Sequence, residues 1–312
     1  MISFLPTRTA RLLFWCLAAA GRPCGGVRPR RLIHWLSHRA FERPPAESEF
    51  GWHLDHWGNR FLLHPYYLLD RQIIAFGAYD YPLHAFIEQR IFGGMVCLDI
   101  GANIGAVSLH LASRVGLSGL VYCFEPLPHL YKRLIQNALR HDFAPAIDAR
   151  QVAVSDQDGE TILSSRPQDH PNQGMGSIVN QDCCLKIRVP VLTVTLDTFV
   201  ESVGLKKIDF IKLDVQGAEP LVLEGAKRTL NAHQPDMLLE VSAWDLRAGG
   251  KSPPALLSRL EELGYECFML TRSGRVGKSV RSAEVRAEFS CNNLYCRCIK
   301  ASPPAATPQK QA

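Results

Sequence analysis

The chain of 312 residues has no run of about 20 apolar residues, the length a membrane-crossing helix needs. The apolar stretch at 12–20 is far shorter. It has ten cysteines but no two Cys-x-x-Cys pairs. Cys291, Cys296 and Cys298 lack the partner pair that a tetrahedral zinc site would need. Cys97 and Cys123 fall in apolar runs and read as small core residues, Cys183-Cys184 fall in an expected loop, and nothing in the pattern demands an oxidising compartment. No phosphate-loop motif Gly-x-x-x-x-Gly-Lys-Ser/Thr occurs, and there is no internal repeat. Even the net charge of +5 is local. Residues 1–43 hold eight arginines against Glu42 alone, a net +7, which leaves −2 for the remainder. A near-neutral body argues against a nucleic-acid substrate.

The strongest positive signal is 96–105, Val-Cys-Leu-Asp-Ile-Gly-Ala-Asn-Ile-Gly. An apolar run carries Asp99, turns at Gly101, and gives way after Gly105 to a helical pattern. Strand, tight turn and helix bring a small ligand against bare backbone. A dinucleotide fingerprint needs a glycine at the middle position, where Asn103 stands here, and its third glycine has no counterpart. Asp99 would also repel a pyrophosphate, whereas it could serve an ammonium. Glu125, ending the next apolar run, is placed to accept hydrogen bonds from a ribose diol. An ammonium, a ribose and no phosphate together describe S-adenosylmethionine (SAM), which is favoured over NAD. A plain strand–turn–helix without ligand is the alternative for the motif alone.

Several further segments occur in order: Phe124-Glu125-Pro126, Ala153-Val154-Ser155-Asp156, Asn172-Gln173-Gly174-Met175-Gly176-Ser177, Thr195-Leu196-Asp197, and 212–219, Lys-Leu-Asp-Val-Gln-Gly-Ala-Glu. Together with 96–105 they resemble the FkbM-type family of SAM-dependent methyltransferases, over about residues 66–298. The resemblance implies an α/β fold of class I methyltransferase (Rossmann-like) type, and O-methylation of a hydroxyl on a sugar or natural product. The family often carries an acidic residue where Gln216 stands, which weakens any role given to that position.

Composition suits one α/β domain with an extension. The expected division is a basic N-terminal extension at 1–45, a catalytic domain at 46–300, and a disordered proline- and alanine-rich tail at 301–312. The arginines and Ala18-Ala19-Ala20 faintly resemble a secretory signal. A SAM enzyme needs a cofactor made in the cytosol, so a cytoplasmic location is expected. The extension is read as partly helical, touching an anionic membrane surface or a partner, with a disordered tail as the alternative. Gly51 to Leu69 reads as a hairpin around Gly58-Asn59, and 73–90 as a largely helical lead-in. Strands at 95–100, 119–124, 149–154, 208–213, 236–241, 265–270 and 292–299 alternate with helices at 104–115, 128–141, 195–203, 220–233 and 253–264. That alternation predicts a seven-stranded, mostly parallel sheet with helices on both faces; an antiparallel last strand is carried over from the resemblance. An inserted hairpin pairs 160–164 with 186–192 around a long polar loop, 166–183.

Ligands of open α/β sheets bind beyond the carboxyl ends of the strands. The polar residues there are Asp99, Glu125, Ser155-Asp156, Asp214 and Glu240. The expected cofactor set is Asp99, Gly101, Ala102, Asn103 and Gly105 for the methionine part, Glu125 and Pro126 for the ribose, and Ser155 and Asp156 for adenine. Asp156 is equally read as a turn residue before Gly159. Methyl transfer to a hydroxyl is an in-line displacement assisted by a general base. Asp214 is the first candidate and Glu240 the second, with magnesium ligation as another role for the pair and helix capping the plainer role for Asp214. The glycines at 174 and 176 suit a lid. Competing functions are N-methylation, a catalytically silent SAM-fold binding protein, and an NAD-dependent oxidoreductase.

Overall fold

The computed structural model describes residues 7–20, 32, 35, 36, 39–179 and 185–299. The tail 301–312, Cys183-Cys184 and much of the arginine-rich stretch 21–38 lie outside the described residues. The chain opens with α1 (Thr7–Ala20), then β1 (Gly51–Leu54) and β2 (Arg60–Leu63), α2 (Leu68–Phe76) and α3 (Tyr81–Arg90). Next come β3 (Val96–Ile100), α4 (Ala106–Val115), β4 (Leu120–Phe124), α5 (Pro128–Ala138) and β5 (Ile147–Arg150). β6 (Ala153–Ser155), β7 (Gly159–Ser165), β8 (Gly176–Ser177) and β9 (Ile187–Thr195) follow, then α6 (Leu196–Val203) and β10 (Phe210–Leu213). The last part is α7 (Glu219–Glu224), α8 (Lys227–His233), β11 (Asp236–Val241), α9 (Ala243–Ala248), α10 (Pro253–Glu262), β12 (Tyr265–Leu270), β13 (Val276–Val280) and β14 (Cys291–Cys298).

The main sheet has the order β13-β12-β14-β11-β10-β3-β4-β5. The run β11, β10, β3, β4, β5 is parallel. β14 lies antiparallel between β11 and β12, as the resemblance implied. Six of the seven expected strands are in this sheet, the third contributes only its start as β5, and β13 adds an edge strand antiparallel to β12. Parallel strands are apolar on both faces because helices cover both. Cys97, Val121, Phe210 and Leu238 face one core, whereas Leu98, Tyr122, Ile211 and Leu239 face the other. The first core takes in α2 to α5, and the second α6 to α10.

Where element bounds depart from expectation, distant contacts are the cause. The strand expected at 149–154 breaks into β5, in the main sheet, and β6, which leaves it to pair in parallel with β9. β9 pairs antiparallel with β7, with Glu160 opposite Leu192, so the expected hairpin is the centre of a second, four-stranded sheet. The helix expected at 220–233 breaks at Gly225, where a Cβ would lie 2.1 Å from the Ser155 carbonyl oxygen. β6 passes too close for any other residue. The lead-in divides at Gly77, in the left-handed region, and restarts where Asp80 caps α3 by accepting from the Leu83 amide.

Candidate active site

A cavity of about 310 Å³ opens at the carboxyl ends of β3, β4 and β10, within the range of small-molecule sites. Its floor is the turn from β3 into α4. Gly101 has φ +88°, and a Cβ there would sit 1.9 Å from the Asp214 carbonyl oxygen, so only glycine lets the β3 turn pass the end of β10. The Gly101 and Ala102 amides both donate to the Phe124 carbonyl at 3.0 Å. Asn103 follows with φ 53°, an uncommon conformation for a side-chain-bearing residue. Its amide donates to Glu125 Oε2 at 2.8 Å, while the Leu127 amide donates to Oε1 at 2.9 Å. Both Glu125 oxygens are thereby held in place, and each keeps a lone pair for a hydroxyl. Burial pushes the Glu125 pKa up to about 7, with amide hydrogen bonds opposing the shift.

Asp99 is 1% exposed and accepts from Ser108 Oγ at 2.6 Å. Burial raises its pKa to about 6, against the pull of Ser108 and Lys212. An uncovered carboxylate here is costly, and a cationic ligand group would remove the cost.

Across the cavity stand Asp214 and Glu240. Gln216, with φ 51°, donates from Nε2 to Asp214 Oδ1 at 3.0 Å and to Glu240 Oε2 at 2.7 Å. Lys212, on the same strand face, places Nζ 3.4 Å from Asp214 Oδ2. Burial works against charge at Asp214, but Lys212 and hydrogen bonds from Glu240 and Gln216 outweigh it, leaving the pKa below the usual value. Burial and the Asp214 charge push Glu240 up. The pair is therefore one carboxylate beside one carboxylic acid. Glu219 holds the intervening loop: its Oε1 accepts from the Val215 and Gly217 amides at 3.2 and 3.3 Å. Among the described residues no group of three or more His, Cys, Asp or Glu side chains is placed to hold a metal ion.

The loop 167–179 forms the roof. Gly174 packs on Asn103 so closely that a Cβ would meet its Nδ2 at 2.4 Å. Ser177 Oγ donates to the Gln216 carbonyl at 2.7 Å, and the Leu68 amide to the Pro171 carbonyl at 2.8 Å. The roof is tied both to the Asp214 loop and to α2.

Of the expected site residues, Asp99, Gly101, Ala102, Asn103, Glu125, Pro126, Asp214 and Glu240 line this cavity, whereas Gly105, Ser155 and Asp156 are not among its lining residues. Gly105 ends the turn with φ +88°, and a Cβ would press on Leu134 and Leu109, so it serves the packing of α4. Ser155 and Asp156 lie past the point where β6 leaves the main sheet, and Val152 to Val154 line the wall instead. Sequence reasoning missed Tyr79, beside Asp214 and Glu240, whose phenol pKa is pushed up by burial and then by those charges. It also missed Asp70, whose Oδ2 accepts from Arg133 Nη2 at 2.6 Å and from the His64 amide at 2.9 Å, while its buried Oδ1 has no hydrogen-bond partner. Neither belongs to a motif; only the packing of α2 and its C-terminal turn brings them to the cavity.

An open, largely parallel sheet with β14 and the edge strand β13 reversed, and a glycine turn facing carboxylates at the strand ends, defines a Rossmann-like fold of the class I methyltransferase type. The chain belongs to the FkbM methyltransferase family: the model of the Methyltransferase FkbM domain matches residues 99–267. It is 34% identical over 157 residues to 2-O-methyltransferase NoeI of Sinorhizobium fredii, covering 43% of this chain and 58% of that protein. It is 29% identical to 31-O-demethyl-FK506 methyltransferase FkbM of Streptomyces tacrolimicus, covering 43% of this chain and 60% of the relative. Hexuronic acid methyltransferase AglP of Haloferax volcanii is 27% identical, with 44% of this chain and 52% of that protein covered. The chain thus spans little more than half the length of these relatives. The crystal structure of methyltransferase FkbM from Methylobacillus flagellatus superposes with a TM-score of 0.43 at 16% identity, over 92% of this chain and 59% of that one.

Proposed function

We propose that the chain is a SAM-dependent O-methyltransferase acting on a hydroxyl of a sugar or other polyhydroxylated small molecule, in the cytoplasm. The observation that carries this is the division of one cavity between a cation- and diol-accepting end, Asp99 and Glu125, and a base-bearing end, Asp214 with Glu240. Relatives named for 2-O-, 31-O- and hexuronic acid methylation support a hydroxylated acceptor.

When bound, SAM supplies an electrophilic methyl group on sulfur. Asn103 and the Gly101–Ala102 backbone would line its methionine part, with Asp99 taking the ammonium. Glu125, held by two amides, would accept from the ribose hydroxyls. Val152 to Val154, rather than Ser155 and Asp156, would form the adenine wall. Asp214, ionised beside a protonated Glu240, would orient the acceptor hydroxyl and take its proton as the oxygen bonds to carbon and the carbon–sulfur bond breaks. Gln216 and Lys212 hold that carboxylate in place. The roof excludes water.

Calorimetric titration with SAM, using NAD as control, tests the cofactor assignment. A screen of hydroxylated acceptors with labelled SAM, with and without magnesium, tests the reaction. Binding of SAM with transfer to hydroxyl oxygen is the expected result. Transfer to nitrogen, or binding without transfer to any acceptor, would replace the reading, and binding of NAD alone would end it.

A further inference from the structure

The first helix has its apolar residues on two sides. Ala10, Phe14 and Ala18, spaced by four, are 0–2% exposed and pack on the body. Phe14 meets Phe41 edge-on at 5.5 Å, Trp15 stacks on His53 at 5.6 Å, and Arg11 Nε donates to the Ala40 carbonyl at 2.8 Å. The helix is therefore fastened to the domain by one stripe. A soluble helix fastened in this way presents polar residues on its other side. Here the other side carries Leu12, 65% exposed, Leu13, 41%, and the exposed Cys16. At 100° per residue, Leu12 and Cys16 lie nearly opposite Phe14, with Leu13 on one shoulder and Trp15, turned to His53, on the other.

We infer that this face is a docking surface for an anionic lipid membrane, with α1 lying in the plane of the interface. Charge selects this occupant. Residues 1–43 carry eight arginines and one acid, while the rest of the chain is net negative, so the positive field is confined to the segment that bears the apolar face. Arg8 is exposed on the same helix, and an apolar stripe beside an arginine is the pattern that enters the headgroup layer, the arginine stem reaching up to the phosphates. No helix among the described residues is long and apolar enough to cross a membrane, and α1 spans only about 21 Å at 1.5 Å per residue, so it lies on the surface rather than spanning it. α1 also packs against α2, whose first residues Leu68 to Asp70 line the cavity. Docking would hold the cavity one helix away from lipid.

The test is co-sedimentation of the full chain with vesicles of phosphatidylcholine mixed with phosphatidylglycerol, against phosphatidylcholine alone. The expected result is sedimentation with the mixed vesicles only, weakening at high salt. Leu12→Glu combined with Leu13→Glu should reduce partitioning by roughly tenfold or more, and Arg8→Glu should reduce it several-fold. Circular dichroism and SAM titration should be unchanged in these variants, because the side chains point to solvent. Wild-type protein that stays in solution with both vesicle types, or a leucine double variant that sediments as well as wild type, overturns the inference. A dimer in sedimentation velocity that the double variant splits, with no vesicle binding, would give the face to a second copy instead.

Discussion

At the scale of single residues, the site depends on carboxylates whose ionisation differs by position. Lys212 and hydrogen bonds from Glu240 and Gln216 hold Asp214 below the usual carboxylate range against burial, while burial and the Asp214 charge push Glu240 up. Asp214→Asn keeps the size but replaces one acceptor oxygen with an amide N–H donor and removes the proton acceptor. Turnover should fall by about a hundredfold or more while SAM affinity is retained; single-turnover methyl transfer beside calorimetry checks this, and unchanged turnover removes Asp214 as the base. Asp99 and Glu125 differ from Asp214 in being pushed up, to about 6 and about 7. A carboxyl group is neutral below its pKa, so SAM affinity should be full near pH 7.5 and fall as pH drops through 7 and then 6. The loss should reach about tenfold or more by pH 5.5, because each protonated group costs up to about tenfold per pH unit. Titration calorimetry across that range reads it directly, and a flat profile would remove both residues from cofactor contact. Asp99, Asn103, Glu125 and Asp214 were legible in the sequence because each ends or follows an apolar run. Tyr79 and Asp70 were not, because no local pattern distinguishes a residue that will face a cavity from one that will face water.

Among elements, the roof loop and the broken elements show how close approach decides detail. Gly174 has ordinary backbone angles, but a methyl group there would stand 2.4 Å from Asn103 Nδ2, the residue forming the cavity floor. Gly174→Ala should therefore lift the roof. SAM affinity is expected to fall roughly tenfold, as for other small displacements in binding sites, while the melting temperature without ligand stays near wild type. A loss of stability with unchanged affinity would make the loop structural. The alternation of strands and helices was readable from apolar periodicity, whereas the caps at Asp80, Thr195 and Ser252 emerge from the structure. The break at Gly225 and the departure of β6 from the main sheet were not, because each follows from the other across 70 residues of chain. Along β6 the cavity wall ends at Val154, so Ser155 and Asp156 are not among its lining residues.

Taken as a whole, the molecule buries both faces of its sheet, and the N-terminal layer explains why α4 is so deeply buried. All but two residues of α4 are buried, since the sheet lies beneath it and α3 packs against it. Its two polar side chains without a view of solvent are each satisfied: Ser108 donates to Asp99, and His110 bonds Glu88 at 2.7 Å and His84. The N-terminal layer, α4 and the cavity thus share one core, so ligand binding there should stabilise the whole. SAM at a hundred times its dissociation constant contributes about 2.7 kcal/mol. Thermal unfolding should shift upward by roughly 5–10 °C for a domain of this size. No shift with SAM, in a protein that unfolds in one transition, would argue that the cavity does not hold it.

Local periodicity, with glycines and carboxylates at fixed spacing, sufficed to locate the strands along the chain, their alternation with helices and the polar residues at their ends; their order in the sheet came from the fold. Folding in three dimensions set how the neighbouring carboxylates shift one another, which strand leaves the sheet, which residues wall the cavity beside β6, and that the first helix keeps an apolar face turned outward. Each of those depends on burial and on distances between residues far apart in the chain. A sequence states which side chains are available; only packing states which of them lose water, and the loss of water is what shifts a pKa or leaves a surface in need of a partner.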